Sequence, residues 1–239
     1  MTDDGRPPIS SWPSLVARAA ADGLAVRGAF HPQPPDLGLF AAFGEPIGTC
    51  VLLGFTGAAQ WTVFSGSREA ADGGPDPLDR WSRRVVDALA AELGAVAAYP
   101  FGERALPFQR LALRCEPVHP SPIGLLIHPE WGLWHAYRGA LLLRDRWEIP
   151  AAAGRPRPCD RCRSQPCLTS CPVGAFGAEG YDVAVCTRHV ASPAGSDCRE
   201  RGCLARRACP VGAEHRYGPP QARFHMEAFL GATREKPQR

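Results

Sequence analysis

The chain has a single lysine, Lys236, so nearly all its positive charge is arginine, and the formal net charge over 239 residues is only +3. That balance gives no case for a nucleic-acid partner, which calls for a strong basic surplus. No apolar run approaches the roughly 20 residues that cross a bilayer, so no membrane contact is expected. No secretory apolar core follows Met1, whose next residues are Thr2, Asp3, Asp4 and Gly5. There is no phosphate-binding P-loop and no Gly-x-Gly-x-x-Gly after a strand. No acid–base pair and no Cys/His nucleophile stands out. Hydrophobic residues make up 45% of the chain, enough for a real core, and its length gives room for one large domain or two ordinary ones.

What the chain does have is cysteine in an unusual pattern. Eight of its ten cysteines fall within 159–209, in two blocks that each end in Cys-Pro-Val-Gly-Ala. The first block is Cys159-x2-Cys162-x4-Cys167-x3-Cys171-Pro172, and the second is Cys186-x11-Cys198-x4-Cys203-x5-Cys209-Pro210. A [4Fe–4S] cube takes four thiolates. In two-cluster ferredoxins the Cys before Pro in one block ligates the cluster of the other. On that rule Cys159, Cys162, Cys167 and Cys209 hold one cube, and Cys171, Cys186, Cys198 and Cys203 hold the other. The spacings x2-x4-x3 and x11-x4-x5 depart from the usual x2-x2-x3. Two four-cysteine zinc sites are the competing use of eight thiolates, but zinc ribbons favour two Cys-x2-Cys hooks and only Cys159-x2-Cys162 occurs. An eight-thiol segment without an export signal fits a reducing compartment, so the expected location is cytoplasmic.

Arginines surround these blocks: Arg155, Arg157, Arg161, Arg163, Arg188, Arg199, Arg201, Arg206, Arg207 and Arg216. Positive charge favours the more negative, reduced state of a cluster. It also suits an acidic low-potential electron donor such as a flavodoxin, or a ferredoxin reductase. The plainer reading is an arginine-rich proteome.

Ahead of the cysteines, helical and extended patterns alternate. A helix follows Pro13, with Leu15, Val16, Ala19 and Ala20 on one face, and a strand follows near Leu24–Phe30. The apolar run Thr49–Phe55 predicts a strand buried in a sheet. Gly57 opens a helix through Trp61 and Phe64. Leu78, Trp81, Val85, Leu89 and Leu93 recur at helical spacing, and Gly94 ends that helix. Asp76-Pro77-Leu78-Asp79 reads as its N-cap. Further strands fit Ala95–Phe101, Gly124–His128 and Gly139–Arg146. These patterns predict an α+β chain: a mixed-sheet α/β sandwich over 1–150, a linker at 151–158, and over 159–239 a small ferredoxin-like two-cluster domain. A short helix near Ala222–Leu230 and a polar tail would close the chain.

One segment is chemically dense. Residues 124–139 place two tryptophans, a tyrosine, two histidines and an arginine between two apolar strands. The run Gly124-x-x-Ile127-His128-Pro129-x-x-Gly132-x-Trp134-x-x-x-Arg138-Gly139 resembles one in the cobalamin-processing family that removes the upper ligand of vitamin B12. That resemblance covers about the first 150 residues. The C-terminal half resembles the iron–sulfur half of epoxyqueuosine reductases and reductive dehalogenases, which pair a related corrinoid domain with two [4Fe–4S] clusters. Helical repeats like those at the C-terminus of epoxyqueuosine reductases are lacking, which argues further against a nucleic-acid partner.

The resemblances imply a nitroreductase-like first domain that binds cobalamin. Trp131, Trp134, Tyr137 and Phe108 would line its pocket, and Arg138 would hold an amide, a phosphate or a thiol co-substrate. Gly124 and Gly132 would admit close backbone approach, and His128 would stand near the metal. Cobalt reduced to Co(I) is a strong nucleophile, and reaching it takes a nearby low-potential donor such as a cluster. The implied activity is electron transfer from two clusters to a corrinoid, with upper-ligand removal or reduction of a small-molecule substrate.

Each residue also has a structural reading. His128 would bond a backbone carbonyl, His135 would face solvent, Trp131 and Trp134 would cap a core, and Arg138 would close a salt bridge. Cys50, in an apolar strand, and Cys115, beside Glu116, are expected to be inert. Two other functions compete: a ferredoxin-type carrier whose first domain only docks a partner, and a reductase with a flavin in place of the corrin.

Overall fold

Ser11 and Ser14 open the first helix by capping each other. The Ser11 hydroxyl accepts from the Ser14 amide and the Ser14 hydroxyl accepts from the Ser11 amide, with Pro13 in the first turn. The computed structural model describes residues 7–44, 46–151 and 154–234. Part of the expected linker (152–153), Lys236 and the polar tail lie outside the described residues.

The chain divides into two compact units, 1–117 with 136–154, and 118–135 with 155–239. The long run of the second unit starts within 151–158, at Arg155, and residues 118–135 belong to the same unit.

In the first unit, α1 (Trp12–Ala21) leads into β1 (Ala25–Phe30), followed by α2 (Pro34–Phe40) and β2 (Thr49–Thr56). Two short helices, α3 (Trp61–Ser65) and α4 (Arg68–Ala71), precede the long α5 (Pro77–Leu93), then β3 (Val96–Ala98) and α6 (Phe108–Cys115). The sheet order is β1-β2-β6-β3, where β6 is His135–Leu143. β1 pairs antiparallel with β2, and β3 with β6. β2 is buried from Thr49 to Phe55, as an apolar run inside a sheet requires. On α5, Leu78, Trp81, Val85 and Leu89 are buried, and Trp81 packs against Phe55 and Phe64 at ring separations of 5.7 and 5.8 Å. Each such side chain contributes about 1.5–3 kcal/mol by burial. Gly94 ends α5 in the left-handed conformation, its amide bonded to Ala90 and Ala91 carbonyls. Asp76 stands at the N-cap position, but its side chain makes no capping bond. On α1 the predicted face is narrower, since Leu15 and Ala19 are buried whereas Val16 is exposed.

In the second unit, β4 (His119–Pro120) pairs with β5 (Leu126–Ile127). The strand expected over Gly124–His128 is therefore only two residues long and stands outside the main sheet. Its side chains serve another core: Ile123, Ile127 and Leu133 pack with Ala205 and Cys209. Then come α7 (Pro166–Thr169), the small pair β7 (Phe176–Gly177) and β8 (Gly180–Tyr181), α8 (Val183–Ala191), α9 (Ser196–Arg201), α10 (Leu204–Ala208) and α11 (Pro219–Arg234). The expected terminal helix is thus longer at both ends. The α+β class holds. Among the described residues no helix is long and apolar enough to cross a membrane.

Candidate functional site

The cysteine module builds its site from short turns. A 3-10 turn over Pro158–Arg161 presents Cys159, and the Cys162 amide donates back to the Cys159 carbonyl at 3.1 Å. Cys167 sits on α7, entered through Gln165 in a left-handed conformation. Cys209 ends α10, and Pro210 carries the backbone away. Cys159, Cys162, Cys167 and Cys209 line one hollow with Pro158, Pro166, Pro210 and the apolar side chains of Ile127, Leu133 and Val211.

The other four thiols come from four places. Cys171 follows α7 and its sulfur accepts from the Ala175 amide at 3.3 Å. Cys186 lies in α8, Cys198 in α9, and Cys203 caps α10. The grouping of the eight shows in their mutual electrostatics. Burial, the first cause, raises the thiol pKa of Cys159, Cys167, Cys186, Cys198, Cys203 and Cys209. Neighbouring sulfurs push further: Cys159 and Cys167 feel Cys162 and Cys209, while Cys186 feels Cys171 and Cys198, and Cys203 feels Cys198 and Cys186. The sulfurs that push each of these six thiols belong to its own group of four. These are the two quartets that the Cys-Pro rule pairs. Among the described residues no group of three or more His, Cys, Asp or Glu could hold a single metal ion.

Hydroxyls border both quartets. Tyr181 hydrogen-bonds Cys186 and stacks on Phe176, with ring centroids 4.8 Å apart. Ser121 lines the first hollow. It starts the turn Ser121-Pro122-Ile123-Gly124, in which the Gly124 amide donates to the Ser121 carbonyl at 3.1 Å. Ser, Pro and Gly are favoured at the first, second and fourth turn positions. That explains Gly124, whose φ of 78° bends the chain and brings no neighbour close.

The aromatic turn docks on the second cysteine block. His128 and Gly132 exchange backbone bonds of 2.8 and 2.9 Å, and the His128 Nδ1 accepts from the Glu130 and Trp131 amides. His128 thus binds two amides through one ring nitrogen. Gly132 approaches Val211, so close that a Cβ would overlap the Val211 carbonyl; its space is taken by protein. The Trp131 ring lies 4.4 Å from that of His215. Trp134 is only 2% exposed and packs edge-on to Tyr217 at 5.2 Å. The Arg206 guanidinium lies over both rings, at 4.4 and 4.6 Å, and donates to the Leu133 carbonyl. His135 is half-buried and its ring N–H donates to the Leu126 carbonyl at 3.0 Å, a correction to its solvent-facing reading.

Tyr137 and Arg138 belong to the first unit. The Tyr137 hydroxyl donates to Glu116 at 2.5 Å, and Glu116 pairs with buried Arg27 at 2.9 Å. Burial raises the Glu116 and Tyr137 pKa values, against the pull of Arg27. The bulge between Val26 and Gly28 singles out Arg27 in β1; the alternating pattern of a strand carries no sign of it. Phe108 is buried, its ring 6.5 Å from that of Tyr137. Arg138 donates to Ser82 at 2.9 Å and pairs with Asp79. Cys50 and Cys115 are buried and their pKa values are raised, by burial first; for Cys115 the Glu116 carboxylate adds to the rise.

In the second unit, Arg201, Arg207 and Arg216 line a concavity of about 390 Å³ with Ser170, Leu204 and Tyr217. Ser170 and Leu204 are the chain neighbours of Cys171 and Cys203. Asp197 pairs with Arg207 and lies 3.7 Å from Arg201.

No family model and no curated protein matches the sequence. Among solved structures the chain is similar to a selenomethionine-labelled epoxyqueuosine reductase, at 14% identity and TM-score 0.50, covering 88% of this chain and 68% of that one. An epoxyqueuosine reductase with an epoxyqueuosine-modified tRNA-Tyr stem loop follows at 14% identity and TM-score 0.47, covering 86% and 66%. The epoxyqueuosine reductase of Streptococcus thermophilus stands at 15% identity and TM-score 0.45, covering 84% and 65%. The first similarity places this chain in that fold, and the chain spans about two thirds of the length of these enzymes.

Proposed function

We propose that the chain is an iron–sulfur oxidoreductase that moves single electrons through two [4Fe–4S] clusters, one in each cysteine quartet. The observation that carries this reading is the sorting of eight thiols into two groups, each built from three cysteines of one block and the Cys-Pro cysteine of the other. Four thiols around a hollow suit a multi-iron cluster, each iron taking one thiolate, better than a single zinc ion. The raised thiol pKa values belong to the metal-free state; binding metal displaces the protons and turns mutual repulsion into ligation. When bound, the clusters supply reversible one-electron storage.

The protein supplies the rest. Proline and apolar side chains keep water from the first quartet, and Tyr181 and Ala175 hydrogen-bond thiols of the second. The concavity of Arg201, Arg207 and Arg216, beside chain neighbours of Cys171 and Cys203, suits an acidic low-potential donor such as a flavodoxin or a ferredoxin reductase. A reducing, cytoplasmic setting suits so many thiols. The second unit is read as ferredoxin-like and the first as a nitroreductase-like sandwich.

The acceptor that the resemblance implies is a corrinoid bound by the first unit. The residues read as its contacts are otherwise engaged: Arg138 with Asp79 and Ser82, Tyr137 with Glu116, Trp134 with Tyr217 and Arg206, and Gly132 with Val211. So engaged, they do not fit a corrin. This engagement favours the second reading, a ferredoxin-type carrier whose first unit docks its partner.

Iron, sulfide, cobalt and flavin assays on one anaerobic sample test the proposal. It expects iron and sulfide in equal amounts and a paramagnetic signal after dithionite. Stoichiometric zinc without iron would overturn it. A spectral change of hydroxocobalamin on addition would separate a corrinoid reductase from a carrier.

A further inference from the structure

Ser121 is the one buried polar side chain lining the first hollow, where Gln165, the other polar residue there, is exposed. Ser121 is 9% exposed and its Oγ has no hydrogen-bond partner among the described residues. Its backbone is fully used: the amide donates to the Leu125 carbonyl at 2.9 Å and the carbonyl accepts from Gly124 at 3.1 Å. The turn is thus closed without the hydroxyl. A serine in this position ordinarily uses its side chain to bond the turn's own amides, and here it does not. A buried hydroxyl left unpaired is destabilising, so the position calls for a partner that the polypeptide does not provide.

We propose that the Ser121 hydroxyl donates a hydrogen bond to a sulfur of the cluster held by Cys159, Cys162, Cys167 and Cys209, and so raises that cluster's reduction potential. This rests on the reading of the first quartet as a cluster site. A hydroxyl rotates freely about its Cβ–Oγ bond and can aim at whatever acceptor the hollow contains. Reduction adds one negative charge to the cluster, and a donor to its sulfurs stabilises the more negative state. The surface that the hollow exposes is apolar. Ser121 is a positioning residue in this sense: it tunes the electron carrier and takes no part in ligation. It sits far from the cysteine blocks in sequence and reaches them because residues 118–135 fold with the second unit.

The test is a potentiometric titration of anaerobic protein followed by paramagnetic resonance, with iron counted in every sample. The Cys209→Ser variant identifies which signal belongs to the first quartet. Ser121→Ala should lower the midpoint of that signal by about 59 mV, a tenfold change in the one-electron equilibrium constant, and leave the other signal in place. Ser121→Thr keeps a hydroxyl and should restore the wild-type midpoint. In the wild type, exchange into deuterium oxide should reveal a strongly coupled exchangeable proton on the first signal, a measurement that needs no variant. Iron-replete Ser121→Ala with an unmoved midpoint, an equal shift of both signals, or no coupled exchangeable proton in the wild type would overturn this proposal alone. Wild-type protein without iron would overturn it together with the reading it rests on.

Discussion

Gly132 and Gly212 meet backbone to backbone. A Cβ on Gly132 would overlap the Val211 carbonyl, and a Cβ on Gly212 would run into the main chain of Trp131. Both have left-handed φ values, 56° and 67°. Gly212 is the fourth residue of the second Cys-Pro-Val-Gly-Ala repeat, and Gly174 holds the same place in the first with a φ of 59° and open space around it. The repeats therefore carry different loads: one only turns, and the other also receives the aromatic segment.

Alanine at each glycine separates the two roles. Gly174→Ala should cost about 1 kcal/mol, the conformational penalty alone. Gly132→Ala or Gly212→Ala adds a backbone overlap and should cost more than about 2 kcal/mol. Urea unfolding of the three variants reads the order. Equal losses would mean that the close approach is not maintained in solution.

The quartets predict which iron goes with which cysteine. Cys209→Ser should remove the cluster whose other ligands lie in the first block, and Cys171→Ser the one whose others lie in the second. Each should lose roughly half of the iron. Combining Cys209→Ser with Cys159→Ser should cost no more iron than either alone, since both belong to one quartet. Additive loss in that pair contradicts the grouping.

Arg138→Ala should weaken the fold of the first unit by about 1–3 kcal/mol, because Asp79 loses an ion-pair partner and the Ser82 hydroxyl a donor. Electron delivery to added hydroxocobalamin should proceed at the wild-type rate. A lost rate with unchanged stability would make Arg138 an acceptor contact after all.

Docking of an acidic donor predicts steep salt dependence. Arg201→Glu with Arg216→Glu should slow reduction by flavodoxin roughly tenfold at low ionic strength. The difference should close above about 0.5 M salt, where the screening length falls to a few ångströms. Reduction by dithionite should be alike in both proteins. A flat response to salt removes the docking surface.

The grouping proposed for the eight thiols starts from spacing, because a Cys-Pro ending constrains the backbone locally and an exchange rule links distant blocks. The α5 stripe and the buried run of β2 were legible for a similar reason: a long element repeats its burial requirement many times within a short stretch. The turn at Ser121-Pro122-Ile123-Gly124 is written in residue types, although its value as a border of the first hollow is not. That Ile123, Ile127, Gly132 and Leu133 pack on Ala205, Cys209 and Val211 was decided only in three dimensions. Two-residue strands have no period to detect. Arg206 on Trp134 and Asp79 on Arg138 are long-range choices made by shape and charge, so side chains that look poised for a ligand along the chain are held by the protein itself.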